Sequence, residues 1–346
     1  MKALVMTAPW ELAVEEIDDP VPGSGEVVVD IIATGICGSD FHGFTGETGR
    51  RRAGQIMGHE TVGRVAGWGS YVTGFAVGDL VTVNPVLSCD TCEVCASGNE
   101  QSCPNRSVIG VTPTITSAFA DRLLVRASNV VPLASGLAPE LGALVEPLAV
   151  GYHAARRGAG TSSDRVLVIG GGPIGQAAYL GALRCGATSV VVSDVNPARR
   201  DLCAGLGAMV VDPSAGDLAA IMADALGGKA TLVIDAVGLT PTLADALACS
   251  TLGARVVLVG MGSPKVDLAA FAISTEERSL IGSFCYSRTD FTETARWVGE
   301  TDVPLARLID GRVGYDAARA SFTDLAKGTS QASKILVFPG GAPGGS

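Results

Sequence analysis

Thiols, imidazoles and carboxylates hold metals and move protons, and this chain spaces them unevenly. Cys89, Cys92, Cys95 and Cys103 fall within fifteen residues as C-x2-C-x2-C-x7-C. Disulfides and a metal are the two chemistries that explain such crowding. Nine cysteines are an odd number, and nothing at the start of the chain reads as a secretory signal, so a disulfide framework is disfavoured. A closed set of four thiolates is the usual structural zinc arrangement. The short C-x2-C steps let a turning loop aim successive sulfurs inward, and Gly98 and Asn99 ease the longer return to Cys103. A zinc ribbon that reads nucleic acid is the rival, but Asp90, Glu93 and Glu100 lie in the stretch without a single Lys or Arg.

A second set is dispersed. Cys37 lies in ICGSDFHG, His59 and Glu60 in MGHETVGRV, and Glu146 in LVEPLAVG. The chain has three histidines, and two of them, His42 and His59, are here. One Cys, one His and one carboxylate hold zinc with a coordination position left open, which a catalytic metal needs so that a substrate oxygen can reach it. Taken singly, a Cys is usually a small core hydrophobe, and a His or Glu satisfies a local hydrogen bond. It is their joint presence that favours a metal.

The third feature is VLVIGGGPIGQAA, a G-x-G-x-x-G of Gly170, Gly172 and Gly175 with Pro173 and Ile174 between the last two. In a chain with 45 glycines the motif alone is weak, but it follows an apolar strand and opens an Ala-rich helix, as a dinucleotide fingerprint requires. Gly170 serves the tight turn, Gly172 the approach of a pyrophosphate, and Gly175 close helix–sheet packing. Asp194 ends the next strand, where a carboxylate accepts ribose hydroxyls and repels a 2′-phosphate. NAD is therefore expected rather than NADP, although Arg199 and Arg200 stand close enough to hold a phosphate.

These groups need elements to carry them. Up to about residue 150, runs such as EVVVDIIATGIC, TVGRVAGWG and DLVTVNPV read as short strands broken by Gly and Pro, hence a β-rich domain from which the cysteine loop is an excursion. PELGALVEPLAVGYHAARRGAG reads as a helix. From about 164, six apolar strands (RVLVIG, SVVVSD, MVVD, LVIDAVG, ARVVLVG, RSLIGSF) alternate with helices, the pattern of a doubly wound parallel sheet. The closing strand SKILVFP has no place in that sheet and is expected back in the first domain. The division is therefore 1–150 with 287–346, and 151–286; the tail GGAPGGS is expected to be disordered.

Composition narrows the function classes. The 346 residues are 47% hydrophobic and 17% charged, enough for two packed cores. No run approaches the ~18 apolar residues of a membrane span, so no membrane partner and a cytoplasmic location are expected. A formal net charge of -10 argues against nucleic acid. The one basic cluster, Arg50 to Arg52, reads as a solvated loop, with a clamp for an acidic substituent as the sharper alternative.

Taken together, these strings resemble the zinc-dependent medium-chain dehydrogenases of the alcohol dehydrogenase superfamily over nearly the whole chain. GHETVGRVAGWGSYV fits that family's signature G-H-E-x2-G-x5-G-x2-V from Gly58 to Val72, and CGSDFH, the cysteine loop and the glycine motif occur in the family's order. EPLAVGYHAARRG resembles the sorbitol and polyol dehydrogenase branch. The resemblance implies an α/β protein with a GroES-like catalytic domain and a Rossmann domain, and two zinc ions per chain. Cys37, His59 and either Glu60 or Glu146 would hold the catalytic zinc, and Cys89, Cys92, Cys95 and Cys103 the structural one. Ser39 and His42 would relay the proton, with Gly170, Gly172, Pro173, Ile174, Gly175, Asp194 and Arg199 around NAD. It also implies a small alcohol or polyol as substrate and a homodimer or homotetramer.

Two departures from that branch are visible. Gly43 stands where an aromatic residue usually follows the relay histidine, and Cys285 stands where an Arg usually precedes Tyr286. Losing that donor weakens sorbitol itself as substrate, leaving a bulkier secondary alcohol, a diol or a modified sugar. A zinc-independent quinone reductase of the same superfamily lacks the cysteine sets found here. Two rival functions remain beside alcohol oxidation: a zinc-bearing nucleotide-binding protein without turnover, and a reductase of bulky carbonyl compounds.

Overall fold

A computed structural model describes residues 1–330 and 332–343. The end of the tail expected to be disordered, 344–346, lies outside the described residues. The chain divides into two compact units, 1–146 with 287–346, and 147–286.

In the first unit the Val- and Ile-rich runs form the strands Glu26–Gly35, Glu60–Trp68 and Leu80–Val83, hydrogen-bonded in that order within a seven-stranded sheet. Alternate residues Val27, Val29, Val65, Val81, Val83, Leu123 and Val125 turn inward and make its core, as a period of two requires. The strand Ile335–Phe338 pairs antiparallel with Glu26–Gly35, so the chain's end does return to its beginning. Register then gathers residues far apart in the chain. Gly35 is paired with Glu60 on one side and Leu336 on the other. Residues just beyond Gly35, just before Glu60 and just before Leu336 therefore share one end of the sheet. Cys37, His59 and Lys334 occupy those positions.

Cys37 caps a short helix, Gly38–Phe44. Its terminal Phe44 is fully buried and meets Phe322 edge-on, ring centroids 5.5 Å apart. That anchor fixes the helix against Tyr315–Lys327, a helix of the returning segment.

The second unit is a six-stranded, all-parallel sheet. Its order is Met209–Val211, Ser189–Ser193, Arg165–Ile169, Ala230–Asp235, Ser250–Leu258, Ser279–Gly282. The sequence runs outward from Arg165–Ile169 in one direction and then in the other, so the chain reverses beside that central strand, where ligands of such sheets collect. Leu167, Val191, Val233, Leu243 and Val256 are buried in its core. The near-continuous apolar strands reflect burial on both faces. Among the described residues no helix is long and apolar enough to cross a membrane.

Candidate active site

At the sheet end set by the register, one donor atom each from Cys37, His59 and Glu60 lies within 4.8 Å of the others. His59 and Glu60 are buried, and Cys37 is half-buried. Space for the Glu60 carboxylate exists because Gly35 has no side chain, as a Cβ there would stand 2.1 Å from a Glu60 oxygen. Gly58, which sets up the turn into His59, has φ +95°, a conformation that L side chains rarely adopt.

Behind Glu60 lies a residue that sequence reasoning missed. Lys334 Nζ donates to both Glu60 oxygens, at 2.6 and 2.5 Å, and points at the Ile36 carbonyl at 3.4 Å. Burial alone would lower the lysine's pKa, but the charges of Glu60 and Cys37 hold it above its ordinary value. The one available signal was a lysine directly preceding a strand apolar enough to be buried.

A second missed residue is Asp40. Its Oδ2 accepts the Cys37 backbone N–H at 3.0 Å, and its Oδ1 faces His59 Nδ1 at 3.6 Å. Asp40 thus touches two of the clustered residues at once. Burial would lower the His59 pKa, yet Asp40, Cys37 and Glu146 outweigh it and raise it to about 10. Anionic side chains thus face His59 from several sides. Glu146 is buried and close enough for its charge to act on both His59 and Lys334, but it lies outside the tight cluster of three.

Ser39 and His42 sit three residues apart on the helix Gly38–Phe44 and are both exposed, hence on one face. The His42 ring rests against Phe41, centroids 4.6 Å apart. The basic cluster corrects an expectation. Arg50 and Arg52 are exposed, but Arg51 is buried with 8% of its surface accessible, so it is neither a solvated loop residue nor a clamp facing solvent.

The four-cysteine lobe is self-contained. Its sulfurs are 3.5 Å apart for Cys92–Cys95 and Cys89–Cys103, and 3.9 Å for Cys89–Cys95 and Cys92–Cys103. A disulfide needs about 2.05 Å, and these four cysteines are in no disulfide. Tetrahedral zinc with bonds of about 2.3 Å separates its sulfurs by about 3.8 Å, so the donors fit that ion. Hydrogen bonds from Thr91 hold the Cys89 thiol well below its usual range, while burial pushes Cys95 up. Gly98 does make the return, with φ +75°. Arg288 pairs with Asp90 at 2.7 Å and tethers the lobe to the helix Arg288–Glu300.

In the second unit the glycine motif joins Arg165–Ile169 to the helix Pro173–Arg184, with Gly172 as the capping residue and Pro173 and Ile174 in the first turn. A Cβ on Gly175 would lie 1.7 Å from the Gly170 carbonyl oxygen, whereas at Gly172 it would meet nothing within 4 Å. Gly175 is there for packing, and Gly172 leaves open space. Asp194 accepts N–H bonds from Gly171 and Asn196, both at 2.7 Å. Arg199 stands 3.8 Å from its carboxylate. Arg200 is committed elsewhere, to the Asp194 carbonyl at 2.7 Å and the Asp212 carboxylate at 2.9 Å.

Comparison with known proteins finds two family matches along the chain. Residues 23–135 match the family "Alcohol dehydrogenase GroES-like domain", and residues 173–300 match "Zinc-binding dehydrogenase". L-galactonate-5-dehydrogenase of Escherichia coli (strain K12) is 33% identical over 91% of this chain and 92% of its own length. Sorbitol dehydrogenase of Bacillus subtilis (strain 168) is 29% identical over 98% of this chain and 97% of its own. Among solved structures, a protein of Sinorhizobium meliloti 1021 described as a zinc-binding dehydrogenase and bound to NADP has a TM-score of 0.90 at 30% identity, covering 98% of this chain and 99% of that one.

Proposed function

We propose, given that this chain belongs to the zinc-binding alcohol dehydrogenase superfamily and is an NAD(P)-dependent oxidoreductase of alcohols or polyols, that it oxidises a secondary alcohol of a polyol or sugar-like compound with NAD. The observation that carries this is the convergence of one donor atom each from Cys37, His59 and Glu60 within 4.8 Å. Cys37, His59 and Glu60 would hold a catalytic zinc, with Glu146 near enough to exchange with Glu60. Cys89, Cys92, Cys95 and Cys103 would hold a second, structural zinc.

The metal, when bound, supplies a Lewis acid that lowers the pKa of an alcohol, and the nicotinamide accepts the hydride. The chain's own residues do the rest. Lys334 supports Glu60 from behind and balances part of its charge. Asp40, 3.6 Å from His59 Nδ1, would help orient that ring, as carboxylate partners of metal-bound histidines do. Ser39 and His42, exposed on one helix face, would pass the alcohol proton outward. An imidazole suits the outer end because it can both accept and donate a proton.

Asp194 would accept the adenosine ribose hydroxyls, and NAD is favoured because Arg200 is already paired. Relatives that act on L-galactonate and sorbitol support a polyhydroxylated substrate. The half-exposed Leu280 and Phe284 at the sheet's edge strand support self-association as a homodimer or homotetramer. The four lobe thiols, in no disulfide, suit a reducing, cytoplasmic setting.

The test is an initial-rate screen of zinc-replete protein against polyols, diols, short secondary alcohols and sugar acids, with NAD and NADP in parallel. Zinc-dependent NADH formation on one class is expected. Asp194→Ala is expected to lower kcat/KM with NAD at least tenfold while NADP gains relative to it. NADH binding without turnover on any member, in either direction, would refute the reading.

A further inference from the structure

Arg51 is the buried cation of the site for which the reaction has no evident use. Its guanidinium donates to the Ser39 carbonyl at 3.3 Å and the Val111 carbonyl at 3.2 Å, and lies 3.7 Å from Asp40 Oδ1. The side chain is only 2% exposed, so it does not present itself to a substrate. Its neighbours, however, are the relay residue Ser39 and the aspartate that reaches Cys37 and His59. Arg51 Nε, Asp40 Oδ1 and His59 Nδ1 are three of the few buried side-chain polar atoms without a hydrogen-bond partner among the described residues. Asp40 Oδ1 lies 3.6 Å from His59 Nδ1 and 3.7 Å from Arg51 Nη2, so shifts of about 0.5 Å would bring these pairs within hydrogen-bond range.

Gly43 explains how a long cationic chain fits here. A Cβ at Gly43 would stand 2.4 Å from Arg51 Cγ and 3.1 Å from its Nε. The stem of Arg51 therefore lies across the bare backbone directly after His42, in the space an aromatic side chain would claim. Gly43 and Arg51 form one unit, since the absent side chain admits the arginine, and the arginine fills the volume and brings a charge.

We infer that Arg51 is a positioning residue for the reaction, a strut admitted by Gly43 that fixes the helix bearing Ser39 and His42 and holds Asp40 in place against His59. The inference rests on the proposed zinc dehydrogenase function. A buried Asp40 without this cation would carry an uncompensated charge, and its aim at His59 would be set by packing alone. Partners one step removed from a metal typically contribute 10- to 100-fold to metal affinity or activity.

The test uses full-length, zinc-loaded protein and three variants, Arg51→Met, Arg51→Lys and Gly43→Ala. Two readouts are taken: kcat and KM for alcohol and NAD, and the rate at which a chelator strips zinc from the Cys37 site, with the four-cysteine zinc as internal reference. For Arg51→Met we expect kcat to fall about 10- to 100-fold with KM for NAD within twofold, and zinc loss from the Cys37 site to accelerate by a similar factor while the reference zinc is unchanged. Arg51→Lys keeps the charge but cannot bridge both carbonyls, and should fall between wild type and Met. Gly43→Ala displaces the strut without removing it and should shift both readouts the same way. Arg51→Met with kcat and zinc retention within twofold of wild type, even at lower melting temperature, would reduce Arg51 to packing and overturn the inference. If Arg51→Met does not fold, the other two variants decide by the same criterion. If wild type turns over no alcohol, the functional reading fails by itself, and the chelator readout still judges Arg51.

Discussion

The first unit offers two places for a metal, and they are built in opposite ways. The cysteine lobe draws all four donors from fifteen consecutive residues; its sulfurs all lie within 4.8 Å of one another. The Cys37 site takes its donors from Cys37, His59 and Glu60, brought together by strand register with Lys334 behind them, and has the buried Asp40 beside His59. A closed set satisfies an ion completely and leaves nothing to react. The other has three clustered donors of mixed type and a half-buried thiol, so an ion held there keeps a place for substrate. The difference predicts that one site serves the fold and the other the chemistry.

The sharpest way to break that division is at the open site. His59→Asn removes a clustered donor, and because the metal contributes several kcal/mol to such reactions, NADH formation should fall by at least about 1,000-fold. Metal analysis should still find one zinc per chain, held by the lobe. Loss of both ions would show that the sites are not independent. Next in size is Lys334→Met, which leaves Glu60 buried without its partner. Losing one member of a buried pair costs about 3–5 kcal/mol, visible in denaturant unfolding, and Lys334→Arg should recover part of it. A neutral Lys334→Met would mean that the ion pair is not what supports Glu60.

Cys103→Ser probes the closed site. Metal binding there contributes folding free energy, so the expected loss is roughly 2–3 kcal/mol of stability, with kcat of the folded fraction within a few-fold of wild type. The smallest effect is expected at a network belonging to neither site. Asp164 pairs with Arg255 and accepts from Thr231 at 2.6 Å and the Thr161 N–H at 2.8 Å. Burial would raise its pKa, but these bonds lower it. A lowered folded pKa stabilises above the unfolded value of about 3.9 and is lost as pH falls through the folded value. Asp164→Asn should therefore cost about 1–2 kcal/mol at pH 7, and the gap to wild type should narrow below about pH 4. Zinc content and kcat should not change; a change in either would tie this network to the sites after all.

What could be read from the sequence divides along the same contrast. The lobe was legible because its donors are neighbours in the chain. The parallel sheet was legible because apolar strands and glycine turns alternate at regular intervals. Lys334 was not, because only the pairing of Leu336 with Gly35 brings residue 334 beside residue 60. Arg51 read as a surface arginine because three consecutive arginines look solvated. Its burial depends on the missing side chain at Gly43, eight positions earlier, and on carbonyls whose positions only the fold sets. Asp40 drew no notice in CGSDFH, because only the fold sets His59 beside it.

Timed zinc removal tests the division of labour most directly. Zinc-replete protein is exposed to a chelator, and samples are assayed for bound zinc, NADH formation and far-ultraviolet circular dichroism. The account predicts that activity disappears in step with the first zinc, that the dichroism stays native until the second leaves, and that re-adding zinc to the one-zinc form restores turnover. Full activity after the first zinc has gone, or unfolding in step with its loss, would contradict the assignment of chemistry to the Cys37 site and structure to the cysteine lobe.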